Sequence, residues 1–199
     1  MKPLEEKFGG RWFGISIFGL DVACKDDFNC PQVSNVCEAL KTASIGKVLL
    51  KPRELSCVGA RFAFGCGGEN KQGIVEQTIK QHGFSRTYAE QVVERTPHCE
   101  VEAGSIGIGI QDNPEVWVAR LQPDQVMAVV RAYQTRFEKS FQPEISSVVS
   151  ICGTVIVGAL QKQDMTIALG CDTSRDGGCL TRDRMFVGLP AAMANQLVS

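Results

Sequence analysis

The chain has 199 residues, 44% of them hydrophobic, with 21 Lys and Arg against 22 Asp and Glu and a formal net charge of −1. That length suits one domain, or at most two small ones, with a sizeable core. The balanced charge and the lack of a Lys/Arg cluster argue against nucleic acid as the main partner. No apolar run approaches the ~20 residues of a membrane span, and the longest, Val148 to Leu160, is broken by Cys152, Gly153 and Gly158. Met1 to Gly10 is polar and charged, so it reads as neither a signal peptide nor a transit sequence. These features point to the cytoplasm, where reducing thiol pools disfavour structural disulfides.

In chain order, Arg11 to Leu20 has strand character, bent or at an edge because of its glycines. Asp26 to Pro31 is rich in turn residues. Val33, Val36, Cys37 and Leu40 follow the i, i+3, i+4, i+7 stripe of a helix over Gln32 to Ser44. A short strand is predicted at Val48–Leu50, and then Ser56 opens a small apolar helix, Cys57 to Phe64, closed by Gly65, Gly67 and Gly68. Gln72 to Gln81 and Thr87 to Arg95 read as surface helices separated by Gly83.

Ile106, Ile108 and Ile110 alternate as a strand, and Val116 to Leu121 reads as its neighbour. Asp112-Asn113-Pro114 between them suggests a hairpin. Pro123 starts a helix that runs to about Lys139. In the last third, Ser150-Ile151-Cys152-Gly153 leads a second helix of small residues. Strands follow at Thr166 to Leu169 and Met185 to Leu189, and Pro190 begins a terminal helix. No regular strand–helix alternation supports a doubly wound sheet. The pattern predicts an α+β domain spanning residues 1–199, with a mixed or antiparallel sheet and several short helices.

Nine cysteines are the most informative feature, and an odd number cannot all pair within one chain. Free cysteine in quantity needs packing, pairing or a ligand to explain it. Cys37, Cys57, Cys152 and Cys171 stand at element boundaries beside small residues. Cys57 and Cys152 fall in the first turns of helices, where unpaired N–H groups favour thiolate. Gly59, Gly153 and Gly170 would let the backbone approach cluster sulfur and hydrogen-bond to it. Four thiolates from four elements suit a 4Fe–4S cluster, although none of the compact ferredoxin spacings is present. For any single cysteine the simpler role is that of a small buried hydrophobe. Zinc is disfavoured because C-x-x-C knuckles are missing. Cys24, Cys30, Cys66, Cys99 and Cys179 form a second tier, from which four could hold a second cluster.

The remaining candidates are weaker. His82 and His98 are the only histidines. His98, beside Cys99, is conceivable in a metal site or a Cys–His pair, yet no nucleophile-elbow signature supports catalysis and a solvated loop role is simpler. Gly104-Ser105-Ile106-Gly107-Ile108-Gly109 looks like a dinucleotide loop but lies within a strand, which excludes that role. Arg175 and Arg182, flanking Asp176-Gly177-Gly178, are either solvated turn charge or counter-charge for a cluster.

Two blocks of residues carry a family resemblance. The first is Val36-Cys37-Glu38-Ala39-Leu40 with Leu55-Ser56-Cys57-Val58-Gly59-Ala60 downstream. The second runs from Cys152-Gly153 through Ile167-Ala168-Leu169-Gly170-Cys171 to Asp183-Arg184-Met185-Phe186-Val187-Gly188-Leu189-Pro190. The chain resembles the domain-of-unknown-function 169 family, whose members show Cys-Gln-Ala, then Ser-Cys-x-Gly-Gly/Ala, and an acidic-x-Met-x-x-Gly-Ile-Pro ending. The resemblance places family cysteines at Cys37, Cys57, Cys152 and Cys171 and the family arginine at Arg175. Asp172-Thr173-Ser174 departs from the family's Asn-Gly-Asp, and Cys66 and Cys179 look like additions. The family supplies no reaction.

The expectation is therefore a cytoplasmic protein that binds one 4Fe–4S cluster through Cys37, Cys57, Cys152 and Cys171 and acts in electron transfer or redox sensing. Its partner would be a redox protein or a small molecule, and a homo-oligomer is compatible with the sequence. The alternative is a metal-free thiol enzyme or thiol–disulfide switch using Cys57 or Cys152 as nucleophile. A metal-free ligand-binding domain is the third reading.

Overall fold

The computed structural model describes residues 2–19, 28–66, 71–109, 112–145, 147–176, 181 and 183–199. Six strands form one sheet: β1 (Arg11–Phe18), β2 (Val48–Leu50), β3 (Ser105–Gly109), β4 (Val116–Leu121), β5 (Thr166–Ala168) and β6 (Met185–Pro190). Their spatial order is β2-β3-β1-β4-β6-β5, and all their pairings are antiparallel. The first helices in the chain are α1 (Lys2–Phe8), α2 (Val36–Thr42), α3 (Val58–Ala63), α4 (Lys71–His82) and α5 (Arg86–Arg95). After β4 come α6 (Pro123–Phe137), a π-helix (Ser150–Val157), α7 (Gly158–Lys162), α8 (Asp172–Asp176) and α9 (Ala191–Val198). The chain is thus an α+β domain, as the pattern predicts.

One topological expectation fails. β3 and β4 are not a hairpin, because β1 lies between them, with Gly14 opposite both Gly109 and Trp117. β1 is apolar on both faces, Trp12 on one side and Phe13 and Ile15 on the other, and all three are buried. Its place between β3 and β4 makes it a central strand. The chain around Pro114 crosses over β1 at Gly14, where an added Cβ would meet Pro114 at 2.9 Å. The glycine that suggested an edge strand is instead the clearance for this crossing.

Alternation along the strands divides the core in two. Trp12, Trp117, Leu121, Val187 and Leu189 face α1, α6 and α9. Phe13, Ile15, Val118 and Phe186 face the opposite way, into the core shared with α2, α3 and the π-helix. Both faces of this antiparallel sheet are therefore covered, and a satellite core under α4 and α5 (Phe62, Ile74, Val75, Ala89, Val93) extends the second layer. α1 is absent from the sequence expectation, since only Leu4 and Phe8 of its seven residues are buried.

The π-helix carries Cys152, and the sheet holds it closely. The Thr166 hydroxyl donates to the Val155 carbonyl at 3.0 Å. At Gly188 a Cβ would stand 2.5 Å from that same oxygen, so only glycine admits the helix at this distance. Val149, which precedes the π-helix, has φ 49°. A β-branched residue in the left-handed region is strained backbone, and π-helical turns are rare; both concentrate at functional sites.

Candidate functional site

The site begins at the start of α2. The Asn35 side chain accepts from the Glu38 N–H at 2.9 Å, and the Glu38 carboxylate accepts from the Ser34 N–H at 2.8 Å, a reciprocal cap that fixes the first turn. Cys37 is the second residue of α2 and is 5% exposed. The Ser34 carbonyl accepts from the Cys57 N–H at 3.1 Å and from the Ser56 hydroxyl at 3.2 Å. Those two bonds tie the entry to α3 against the entry to α2. Cys57 is the N-cap of α3, with no side-chain capping bond, and its carbonyl accepts from the Ala60 N–H at 3.1 Å.

The π-helix packs on α3, bringing in Cys152, which is 7% exposed. Cys171 follows Gly170, whose φ of 88° turns the chain out of the β5 segment. The Cys171 carbonyl accepts from the Ser174 N–H at 3.0 Å and from the Ser174 hydroxyl at 2.6 Å, which opens α8 beside α2.

Cys37, Cys57, Cys152 and Cys171 all line one cavity of about 50 Å³. A single water needs ~10–15 Å³ of such space, so the cavity is larger than a packing defect. Its walls are predominantly apolar. The four cysteines singled out in the sequence are the four that meet here. Among the described residues no three His, Cys, Asp or Glu side chains form a group able to hold one metal ion. A mononuclear site needs its donors gathered around a point, with Zn–S near 2.3 Å. The four cysteines instead border a shared volume, one from each of four separate parts of the chain.

Among the described residues Cys37, Cys57, Cys66, Cys99, Cys152 and Cys171 form no disulfide. Burial pushes the Cys57 thiol above its ordinary value and outweighs the lowering by the N–H groups of Ala60 and Gly59, with Cys171 adding to the rise. The glycine assignments need correction in part. Gly59 lines the cavity, but Gly153 does not; a Cβ there would stand 2.9 Å from the Pro97 carbonyl, so its role is packing.

The described second-tier cysteines do not join this site. Cys66 and Cys99 lie outside the cavity, with Cys99 pushed up to about 11 by burial and by the charges of Glu115 and Cys66. Cys30 is disulfide-bonded, against the expectation of free thiols throughout, and is thereby withdrawn from any second ligand set. Cys24, Cys179 and Arg182 lie outside the described residues. His98 packs on the Phe62 ring at 4.9 Å, with Nδ1 3.0 Å from the Thr96 carbonyl oxygen, and is not a wall residue. The Arg175 guanidinium donates to the Leu169 carbonyl and braces the turn that carries Cys171.

A model of the uncharacterised ArCR family, domain of unknown function 169, matches residues 21–199. The chain belongs to this family. The match includes all four cavity cysteines and nearly the whole chain. No curated protein and no solved structure matches the chain.

The sequence reading missed the polar part of the wall. Gln77, Gln81 and His82 of α4 line the cavity, as do Asn35 and Asp172, and His82 Nδ1 lies 3.8 Å from the Asp172 carboxylate. A signal was available, because the helical stripe Ile74, Gln77, Thr78, Gln81 is polar where an inward stripe is ordinarily apolar.

Proposed function

We propose that this protein binds one 4Fe–4S cluster through Cys37, Cys57, Cys152 and Cys171 and acts in electron transfer or redox sensing. The supporting observation is the convergence of four thiols, from four separate parts of the chain, on a single mostly apolar cavity. When bound, such a cluster supplies one-electron transfer at a potential that its protein surroundings set. With all four ligands cysteine, no iron is left open to substrate, so a redox role is favoured over Lewis-acid catalysis.

The residues present divide the work. Cys37 and Cys152 are buried, whereas Cys57 and Cys171 are partly exposed. The latter pair would form the edge facing a redox partner protein or a small-molecule partner. The N–H groups of Gly59 and Ala60 stabilise negative charge on the Cys57 sulfur. Burial raises the Cys57 thiol, a cost that cluster ligation and a metal-free nucleophile would both have to meet. No helix among the described residues is long and apolar enough to cross a membrane. Six cysteines outside any disulfide suit a cytoplasmic setting, while the Cys30 disulfide weighs against it.

The test is anaerobic reconstitution with iron and sulfide. The expected product is brown, absorbs broadly near ~400 nm and holds about four iron and four sulfide per chain. A protein that stays colourless and iron-free would overturn the proposal.

A further inference from the structure

We infer that α4 is the hydrogen-bonding wall that sets the potential of this centre, with the Gln77 and Gln81 side-chain amides as its donors. The inference rests on the cluster reading above. A cluster held by four thiolates carries net negative charge, and taking that charge into an apolar cavity is costly unless polar groups answer it. Yet among the described residues lining the cavity there is no Lys and no Arg, and the titratable groups besides the thiols are His82 and Asp172. Arg175 is turned onto the Leu169 carbonyl and Arg61 onto the Leu55 carbonyl, the latter at 2.6 Å. The charge of Arg61 still reaches Cys57 and favours its thiolate, and neutral donors on the wall itself would share that task.

α4 is built to supply them. Ile74 and Val75 anchor it in the satellite core, with Ile79 packed alongside. Gln77 and Gln81, one turn apart on the same helix, border the cavity instead. Gln77 is half-buried and Gln81 exposed, so α4 presents amides and not apolar side chains where it borders the cavity. Each amide brings two N–H donors. Hydrogen bonds to cluster sulfur favour the more negative, reduced state and raise the potential. Gln77 and Gln81 are thus positioning residues for charge and not ligands.

The experiment uses the full chain reconstituted anaerobically, as parent, Gln77→Leu, Gln81→Leu and the double variant, with Gln72→Leu on the outer surface of α4 as control. Midpoint potentials are titrated by visible absorbance and electron paramagnetic resonance. At unchanged iron content, the double variant is expected to shift the oxidised-to-reduced ratio at fixed potential by at least tenfold toward oxidised, about 59 mV for one electron. Gln72→Leu should match the parent. If a leucine variant fails to hold iron, Gln77→Glu and Gln81→Glu, which keep side-chain size but replace a donor by an acceptor, should move the potential the same way. Coincident potentials at full iron content overturn this inference and leave the cluster reading standing. A parent that takes up no iron overturns both.

Discussion

Two groups of thiols in this molecule look alike in the sequence and differ in their surroundings. Cys37, Cys57, Cys152 and Cys171 stand around a cavity. Cys66 and Cys99 lie away from it, and Cys99 is pushed up to about 11 by burial and neighbouring negative charge. Burial raises the Cys57 thiol as well, so titration does not separate the groups. The first environment leaves room for a ligand, and the second does not share that space. Cysteine number alone therefore says little, and what separates binding sites from packing is whether the sulfurs share a space.

The contrast can be broken most directly by serine replacement. Cys37→Ser, Cys57→Ser, Cys152→Ser or Cys171→Ser should each weaken cluster retention by at least ~100-fold, more than loss of an outer-shell partner costs. Cys66→Ser and Cys99→Ser should keep the parent's iron content. Iron and sulfide analysis after gel filtration reads both arms. Equal losses from the two groups would erase the distinction.

A smaller effect sharpens the second environment. Because the folded pKa of Cys99 is raised to about 11 from an ordinary 9.0, its burial contributes stability that is fully present below pH 9. That contribution is lost as pH rises through 11. The loss is on the order of 2–3 kcal/mol. Urea unfolding of the apo chain between pH 8 and 11 should show it, and Cys99→Ala should flatten that part of the profile. A parallel decline in parent and variant would assign the alkaline loss to other groups.

The smallest effect concerns Arg175. Its guanidinium is turned onto the Leu169 carbonyl and is not among the cavity's wall residues, so it acts on the centre only at a distance. Arg175→Gln removes a positive charge and should make the potential more negative, by less than the ~59 mV of a tenfold ratio change. Redox titration at matched iron content measures it. A larger shift than in the Gln77→Leu, Gln81→Leu double variant would mean that distant charge, and not the α4 amides, dominates the first environment.

Much of the local structure was legible in the sequence. β2 and β4 fall on the predicted residues, and α3, α5 and α6 within one or two of them, because apolar period, Pro123 at a helix start and Gly83 at a break are all local signals. α1 and α8 were not legible, since short helices with few buried residues carry almost no periodic signal. The hairpin expectation failed for a related reason: turn residues at 112–114 announce a reversal but not which strand enters between its arms.

By itself the sequence singled out four cysteines, through their places at the heads of helices and the end of a strand, and through the family motifs around them. Tertiary structure alone decided that these four share a cavity, that Cys66 and Cys99 do not, and that α4 closes the wall with Gln77, Gln81 and His82. The reason is physical. Where a thiol sits along its own helix or strand depends on nearby residues. Whether two thiols meet depends on packing between elements far apart in the chain, such as the π-helix seated on Gly188 and the Ser34 carbonyl holding Cys57 beside α2.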